Sequence, residues 1–297
     1  MRNKDQRKSK RKAGNDLVIV GGSGFIGAAI ARGCSRGGES CVPLGSAECD
    51  LTDPMACAEA LPDLCNGRTV VYAAGIPRAR SDTLEALQTN VAMVHNLLAA
   101  MREARPSRMV FLSSVEVYGI PRELPVDEQT EIRPRTLYAV GKVAAELMLR
   151  RWHDQTHTPL AVLRLPGVYG PGDRGRSVVG KLVESARSGQ PFSLAGEGSW
   201  RRDYVWVDDI ARVVTALMET DFTELTLNVA TGRSLSIRDV IDRVAALYGP
   251  VPLNAVAERG ADGHLEFDIS RRRSLLPGVD LTGLEEGLDS YGDLHDA

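Results

Sequence analysis

Short apolar runs alternate with longer amphipathic stretches through the first half of the chain. Leu17–Val20 is an unbroken apolar tetrad that runs into glycines, the pattern of a buried strand ending in a turn. Residues 26–37 read as a helix in which Ala28, Ala29 and Ile30 pack compactly, and 40–44 as a second strand. Asp53-Pro54 supplies an N-cap and a first helical residue for a helix to Leu64. Thr69–Tyr72 reads as a third strand, and Asp82 with Glu85 predicts a capping box that opens a helix through Leu98 to Ala104. A fourth strand over 108–113, a helix over 136–152 and a strand over 160–164 follow. Repeated strand–helix alternation predicts an α/β fold, a Rossmann-type doubly wound parallel sheet with helices on both faces.

After Pro166 the texture changes. Gly167, Gly170, Pro171, Gly172 and Gly175 cluster, followed by a helix over 177–188, short strands and loops that include 201–209, and a helix from the cap Ser236 to Tyr248. The expected division is a basic tail over 1–14, a Rossmann-type domain over 15–165 and a smaller lobe over 166–297, with some segments returning to the sheet.

Composition narrows the class. Of 297 residues 43% are apolar and 25% charged, as in soluble globular proteins. No apolar run approaches the ~20 residues that span a bilayer, and the polar N-terminus has no signal-type apolar region, so a cytoplasmic protein without a membrane partner is expected. Cys34, Cys41, Cys49, Cys57 and Cys65 form no CxxC pair and read as reduced thiols filling the core. Residues 2–12 carry seven basic side chains against Asp5, an excess of six; removing it from the net charge of −3 leaves −9 on the body. That balance argues against nucleic acid as the main partner, and the tail reads as a solvated leader.

Candidate chemistry concentrates in three places. Gly21, Gly24 and Gly27 have the GxxGxxG spacing between a strand and a helix, with Phe25 and Ile26 inside the turn. The first glycine permits the turn, the second lets backbone approach a pyrophosphate, and the third allows close packing of helix on strand. The second strand ends Leu44-Gly45-Ser46 without the carboxylate that would hold a ribose, a slight tilt from NAD toward NADP; Ser46, Asp50 and Leu51 are placed at the adenosine. Tyr138 and Lys142 lie four apart on one helix face. A phenol near pKa ~10 needs a neighbouring charge to work at neutral pH, and an ammonium lowers that pKa. Ser114 ends a strand of the same sheet, where its hydroxyl can hold a substrate oxygen. His153 and His157 are i, i+4 but have no third ligand, so they read as capping or solvated rather than as a metal site. Trp200 and Trp206, near Arg202, read either as platforms for a base or as core residues.

Together these residues resemble the extended short-chain dehydrogenase/reductase family of nucleotide-sugar epimerases, dehydratases and ketoreductases, from about Leu17 to Gly287. Tyr72-Ala73-Ala74-Gly75 resembles the segment that lines the cofactor, and Asn90 an asparagine that stabilises the central helix. Phe111-Leu-Ser-Ser-Val-Glu-Val-Tyr118-Gly119 resembles the active-site strand and selects Ser114 over Ser113. Arg164-Leu165-Pro166-Gly167-Val168 resembles the stretch beneath the nicotinamide. Arg202-Asp203-Tyr204 and Arg259-Gly-Ala-Asp262 resemble segments whose arginines and aspartate hold the nucleotide. The resemblance implies Ser114, Tyr138 and Lys142 as catalytic residues, NAD(P) as cofactor, and Glu116, Arg202, Arg259 and Asp262 at a nucleotide-sugar substrate. It also implies a homodimer through the helices around Asn90 and Tyr138. A dehydratase of the family carries Asp-Glu after its serine or threonine; Val115-Glu116 lacks the acid. Gly167 stands where many members have asparagine. The expected activity is a nucleotide-sugar 4-ketoreductase, the alternative a 4-epimerase, and the non-enzymatic alternative an NAD(P)-binding regulator.

Overall fold

A computed structural model describes residues 16–102, 104–257 and 263–293. The basic tail, Arg259 and Asp262 lie outside the described residues. The first half runs β1 (Leu17–Val20), α1 (Phe25–Gly37), β2 (Cys41–Leu44), α2 (Pro54–Cys65), β3 (Thr69–Tyr72), α3 (Leu84–Ala100), β4 (Arg108–Ser114), α4 (Leu137–Thr156) and β5 (Leu160–Leu165). Next come β6 (Gly167–Tyr169), α5 (Val178–Ser188), β7 (Phe192–Ala195), β8 (Arg201–Arg202), β9 (Tyr204–Trp206), α6 (Val207–Met218) and β10 (Glu224–Asn228). The chain continues through β11 (Leu235–Ser236), α7 (Ile237–Tyr248), β12 (Leu253–Val256), α8 (Ser270–Leu275) and α9 (Leu284–Asp293).

The central sheet has six parallel strands in the order β10-β5-β4-β3-β1-β2. From β1 the chain moves to β2 on one side and then to β3 on the other, so the sheet reverses direction between β1 and β3. A crevice opens at the carboxyl ends of strands flanking such a reversal, which is where ligands bind in open α/β sheets. Period-two alternation splits the apolar strand residues between the two faces. Leu17, Ile19, Val71, Val110, Leu112, Ala161 and Leu163 pack with α1 and α6; Val18, Val20, Val70, Tyr72, Met109, Phe111 and Val162 pack with α2, α3 and α4.

The stretch over 201–209 is more regular than its sequence suggests. Val207 begins α6, whose Ile210, Ala211, Val213, Val214 and Leu217 lie against the sheet. A Cβ on Gly33 would stand 2.5 Å from that of Ala211, so α1 and α6 touch closely. β10 then pairs in register with β5 as the sixth strand. The helix expected to open at Asp82 is capped by Thr83, whose hydroxyl accepts the Ala86 N–H at 3.3 Å, and ends at Ala100 instead of Ala104. Asp82 is one residue too early; its carboxylate instead accepts the N–H of Tyr138 at 2.8 Å. Trp206 is a core residue, edge-on to Tyr169 and Tyr291, and does not form a platform for a base. His153 Nδ1 lies 2.8 Å from the Thr158 carbonyl, and His157 ends α4 in the left-handed region.

Cys34, Cys49, Cys57 and Cys65 are buried, and Cys41 half-buried. Burial pushes the thiols of Cys34, Cys57 and Cys65 up to about 12 and raises that of Cys49. Thiolate is the reactive form, so 5,5′-dithiobis(2-nitrobenzoate) should titrate one thiol of the native protein rapidly, Cys41, and the other four only after unfolding. Rapid labelling of two or more would contradict the packing of α1 and α2.

Candidate active site

The glycine turn is shaped by close approach. Gly21 takes φ +90°, and a Cβ there would stand 2.6 Å from the Ala74 nitrogen, so the turn lies against the Ala73-Ala74-Gly75 segment after β3. A Cβ on Gly27 would stand 2.2 Å from the Gly21 carbonyl oxygen, which seats α1 on the turn. Both Gly21 and Gly22 donate N–H bonds to the Leu44 carbonyl at the end of β2. Side chains of Asp53, Thr83, Thr136, Ser177 and Ser236 cap α2, α3, α4, α5 and α7, whereas Gly24 offers α1 no side-chain cap. The amides and dipole at the start of α1 therefore have no side-chain cap, which leaves them to an anion such as a pyrophosphate. Phe25 opens α1 beside Gly172, while Ile26 packs toward the core. The residues present fit a dinucleotide.

Asp50 accepts the Thr52 N–H and hydroxyl at 2.9 and 2.8 Å, an interaction that holds its carboxylate low and fixes the loop before α2. Leu51 is buried, and its carbonyl accepts from Asn96. Ser46 is exposed. Asn90 stands on α3 with Oδ1 accepting the Ile76 N–H at 2.7 Å and Nδ2 donating to the Ile76 carbonyl at 3.1 Å. It thus clamps the loop following Gly75. Leu165, paired with Ser114 across β5 and β4, and Val168 on β6 line the same end of the sheet.

Ser114, Tyr138 and Lys142 converge as expected from their spacing. Thr136 caps α4, accepting the Ala139 N–H at 3.0 Å, and Asp82 takes the Tyr138 N–H, so the first turn that carries Tyr138 is held from two sides. The Ser114 hydroxyl accepts the Glu116 N–H at 3.2 Å and stands close enough to the Tyr138 phenol to lower its pKa. Lys142 Nζ donates to the Leu112 carbonyl at 2.7 Å and lies 4.8 Å from the Phe111 ring centroid and 5.7 Å from that of Tyr138. The expected lowering of the phenol pKa by Lys142 does not hold in this geometry. Burial is the largest influence and raises the Tyr138 pKa, Glu116 raises it further, and the Ser114 hydrogen bond opposes them. The ammonium is engaged by the Leu112 carbonyl on β4. Burial pushes Lys142 itself down to about 8, opposed by Glu146 one turn along α4.

Glu116 sits beside this trio. Its Oε2 accepts from Arg78 Nη1 and from the Thr136 hydroxyl, each at 3.3 Å. Burial raises its carboxyl pKa, with Arg78 opposing. Val115, the position of the dehydratase acid, is 5% exposed and apolar. Arg202 lies in the second lobe, where its Nη1 donates to the carbonyls of Arg201 and of Gly263, the residue after Asp262. A Cβ on Gly263 would stand 2.9 Å from Ile120, which brings that lobe to the end of the Glu116–Gly119 segment. Gly167 lies against the Tyr204 ring, where an added Cβ would stand at 3.2 Å.

A buried polar cluster underlies the trio. Arg164 Nε and Nη2 donate to the two Glu146 oxygens at 3.1 and 2.7 Å, and the Ser113 hydroxyl donates to Oε1 at 2.6 Å. Arg164 Nη1 donates to the Tyr118 hydroxyl, which donates to Asn228 Oδ1 at 2.7 Å. Ser113 is thereby committed below the sheet end, leaving Ser114 to the cleft.

Residues 17–230 match the family model for the NAD dependent epimerase/dehydratase family. The chain belongs to the NAD-dependent epimerase/dehydratase family, the extended short-chain dehydrogenase/reductases. Its relatives in this family are epimerases, dehydratases and reductases of nucleotide sugars, and the chain is an enzyme of that type. It is 33% identical to a dTDP-L-rhamnose 4-epimerase of Burkholderia thailandensis over 168 residues, 54% of this chain and 46% of that relative's own length. It is 27% identical to a dTDP-4-dehydro-6-deoxy-D-allose reductase of a Streptomyces species, covering 93% of this chain and 96% of the other. Among solved structures it is similar to MoeE5 in complex with UDP-glucuronic acid and NAD, with a TM-score of 0.83, 25% identity and coverage of 95% and 99%.

Several residues around this site carry no signal in the sequence that ties them to it. Arg78, Asp82 and Glu146 reach the trio through loop folding or helix register. A fourth is Glu48, whose Oε2 accepts the Gly45 N–H at 2.8 Å. A carboxylate therefore does stand at the end of β2, three residues after the glycine where none was expected. Chain reversal after β2 brings it back, which linear position does not reveal.

Proposed function

We propose that the protein reduces the 4-keto group of a nucleotide-linked sugar. The bound nicotinamide cofactor supplies the hydride. Tyr138, held protonated by burial and by Glu116, gives its proton to the carbonyl oxygen as charge develops there, and the Ser114 hydroxyl donates a hydrogen bond to the same oxygen. The single observation that carries the reductive direction is the similarity to a dTDP-4-dehydro-6-deoxy-D-allose reductase along 93% of this chain and 96% of that relative. Lys142 places a positive charge beneath the site, and Arg202 stands at the lobe that would receive the diphosphate. Val115 has no proton to give a leaving hydroxyl, which disfavours 4,6-dehydration. Cofactor and nucleotide sugar meet at the ends of β1, β3, β4 and β5; the helices around Asn90 and Tyr138 form the face through which two copies would pair.

A 4-epimerase is the second reading, favoured by the Glu48 carboxylate at the adenosine end and by similarity to 4-epimerases. The same groups would then oxidise the alcohol before reducing the opposite face.

Incubation with a panel of nucleotide sugars and their 4-keto forms, with NADH or NADPH, separates the two by product chromatography. A reductase consumes one reduced nucleotide per keto-sugar. An epimerase interconverts sugars without added cofactor and releases NAD(H) on denaturation. Turnover of neither class would leave a binding protein and sink both readings.

A further inference from the structure

We infer that Arg78 is a positioning residue for the reaction: bound to Glu116, it holds that side chain as a carboxylate between the sugar and the first turn of α4. The inference rests on the proposed reading, with Glu116 facing the sugar and Tyr138 at work beside it.

The loop over 76–83, between β3 and α3, is tied to the site at three points. Asn90 clamps its start through the N–H and the carbonyl of Ile76. Asp82, near its end, accepts the Tyr138 N–H at 2.8 Å. Between them Arg78 Nη1 donates to Glu116 Oε2 at 3.3 Å. The same oxygen accepts from the Thr136 hydroxyl at 3.3 Å, and that hydroxyl accepts the Ala139 N–H as the cap of α4. The Glu116 N–H donates to the Ser114 hydroxyl at 3.2 Å. Glu116 thus joins the serine, the start of the helix that carries Tyr138, and the loop. Arg78 anchors it from the loop.

The pairing also sets the form of Glu116. Burial favours its neutral acid, and Asp82 acts in the same direction; the Arg78 charge opposes both, helped by the Thr136 hydrogen bond. From α4 the Tyr138 phenol faces Glu116 without charge, and Lys142 farther along that helix is engaged by the Leu112 carbonyl. Without Arg78 the carboxyl keeps its proton to higher pH. A protonated carboxyl has turned one acceptor site into a donor, so less remains to accept from Thr136 and from a sugar hydroxyl. The sugar is then held less tightly, while the phenol and Ser114 stay in place.

Arg78→Met, Arg78→Lys, Glu116→Gln and the double variant Arg78→Met with Glu116→Gln test this in the full-length protein. The Arg78 side chain is 54% exposed, so its replacement should leave the fold intact. On the sugar that the panel selects, Arg78→Met should raise KM over wild type about tenfold at pH 6 and less than about threefold at pH 8.5, with kcat changed less than about threefold. Taking the ratio at each pH cancels the titration of Lys142. Arg78→Lys should restore the wild-type KM, because one hydrogen bond and not a fork joins the pair. Glu116→Gln should raise KM equally at both pH values, and adding Arg78→Met should then change it less than about twofold. A second readout needs no turnover. A carboxyl whose folded pKa lies above its unfolded value contributes stability that is lost as pH rises through that window. Removing Arg78 widens the window. The melting temperature of Arg78→Met should therefore fall relative to wild type by about 2 °C between pH 5 and 8, and that fall should vanish on Glu116→Gln. A KM ratio that ignores pH, or an Arg78→Met effect that persists in full on Glu116→Gln, overturns the inference. No turnover by the wild type sinks the functional reading, and the melting-temperature comparison then decides the inference by itself.

Discussion

Tyr138→Phe is expected to lower kcat by about 10³-fold on the sugar that the panel selects, within the range for loss of a positioned proton donor. The substitution removes one oxygen from a half-buried ring on α4 and leaves the Asp82 and Thr136 bonds that hold the helix start. KM should therefore change little, and NADH affinity should be preserved. The pH profile gives an independent reading. Lys142, pushed down to about 8 by burial, is charged below that pH and loses its charge above it. Tyr138 moves the other way and keeps its proton through the same range. The alkaline limb of kcat/KM in the wild type should fall through about pH 8 and report Lys142, and Lys142→Arg should move it upward because guanidinium does not titrate there. Retention of more than a tenth of wild-type kcat in Tyr138→Phe would remove the phenol from the reaction.

Glu146→Gln is expected to destabilise the fold by about 3–5 kcal/mol, the cost of leaving one charge of a buried pair uncompensated. Both side chains of the Glu146–Arg164 pair are nearly fully buried, at 2% and 3% exposure, so solvent cannot screen the arginine that remains. Glutamine keeps one acceptor oxygen, which the Ser113 hydroxyl and the guanidinium must share, while its amide NH2 cannot accept from Arg164 Nη2, and Tyr118 and Asn228 are left attached to a misplaced guanidinium. Urea unfolding or a melting temperature lowered by about 10 °C would register the loss. Replacing both partners, as in Glu146→Leu with Arg164→Met, should recover part of it, because no unpaired charge is then buried. A single-variant effect below about 1 kcal/mol would show that water or another group reaches Arg164. The pair spans α4 and β5, and its extension through Tyr118 to Asn228 reaches β10. Disturbing it should also lower activity in the fraction that remains folded, through the position of β4 and Ser114.

Much of the nucleotide-binding half is legible in the chain because it is written in short-range chemistry. Thr69–Tyr72 reads as a strand from four consecutive apolar or β-branched residues, and Asp53 and Ser236 mark their helices because a capping side chain acts within three residues. Legibility falls where the deciding contact is distant. The α6 helix follows a two-residue strand and a three-residue strand without a side-chain cap, and it is stable because its apolar face covers α1 and the sheet. Asp82 looks like a cap for the helix beside it and serves the one that begins 55 residues later.

The chain alone determined the sheet type, the glycine turn and the trio of Ser114, Tyr138 and Lys142, since each depends on spacing along a strand or one helix face. Tertiary structure decided what those groups experience. Whether Tyr138 feels Lys142 or Glu116 depends on where an ammonium points and how much solvent remains, and neither is a local property. Glu48 belongs to the same class: its carboxylate matters because a reversal after β2 carries it back to Gly45, and electrostatic energy depends on distance through space, not along the sequence.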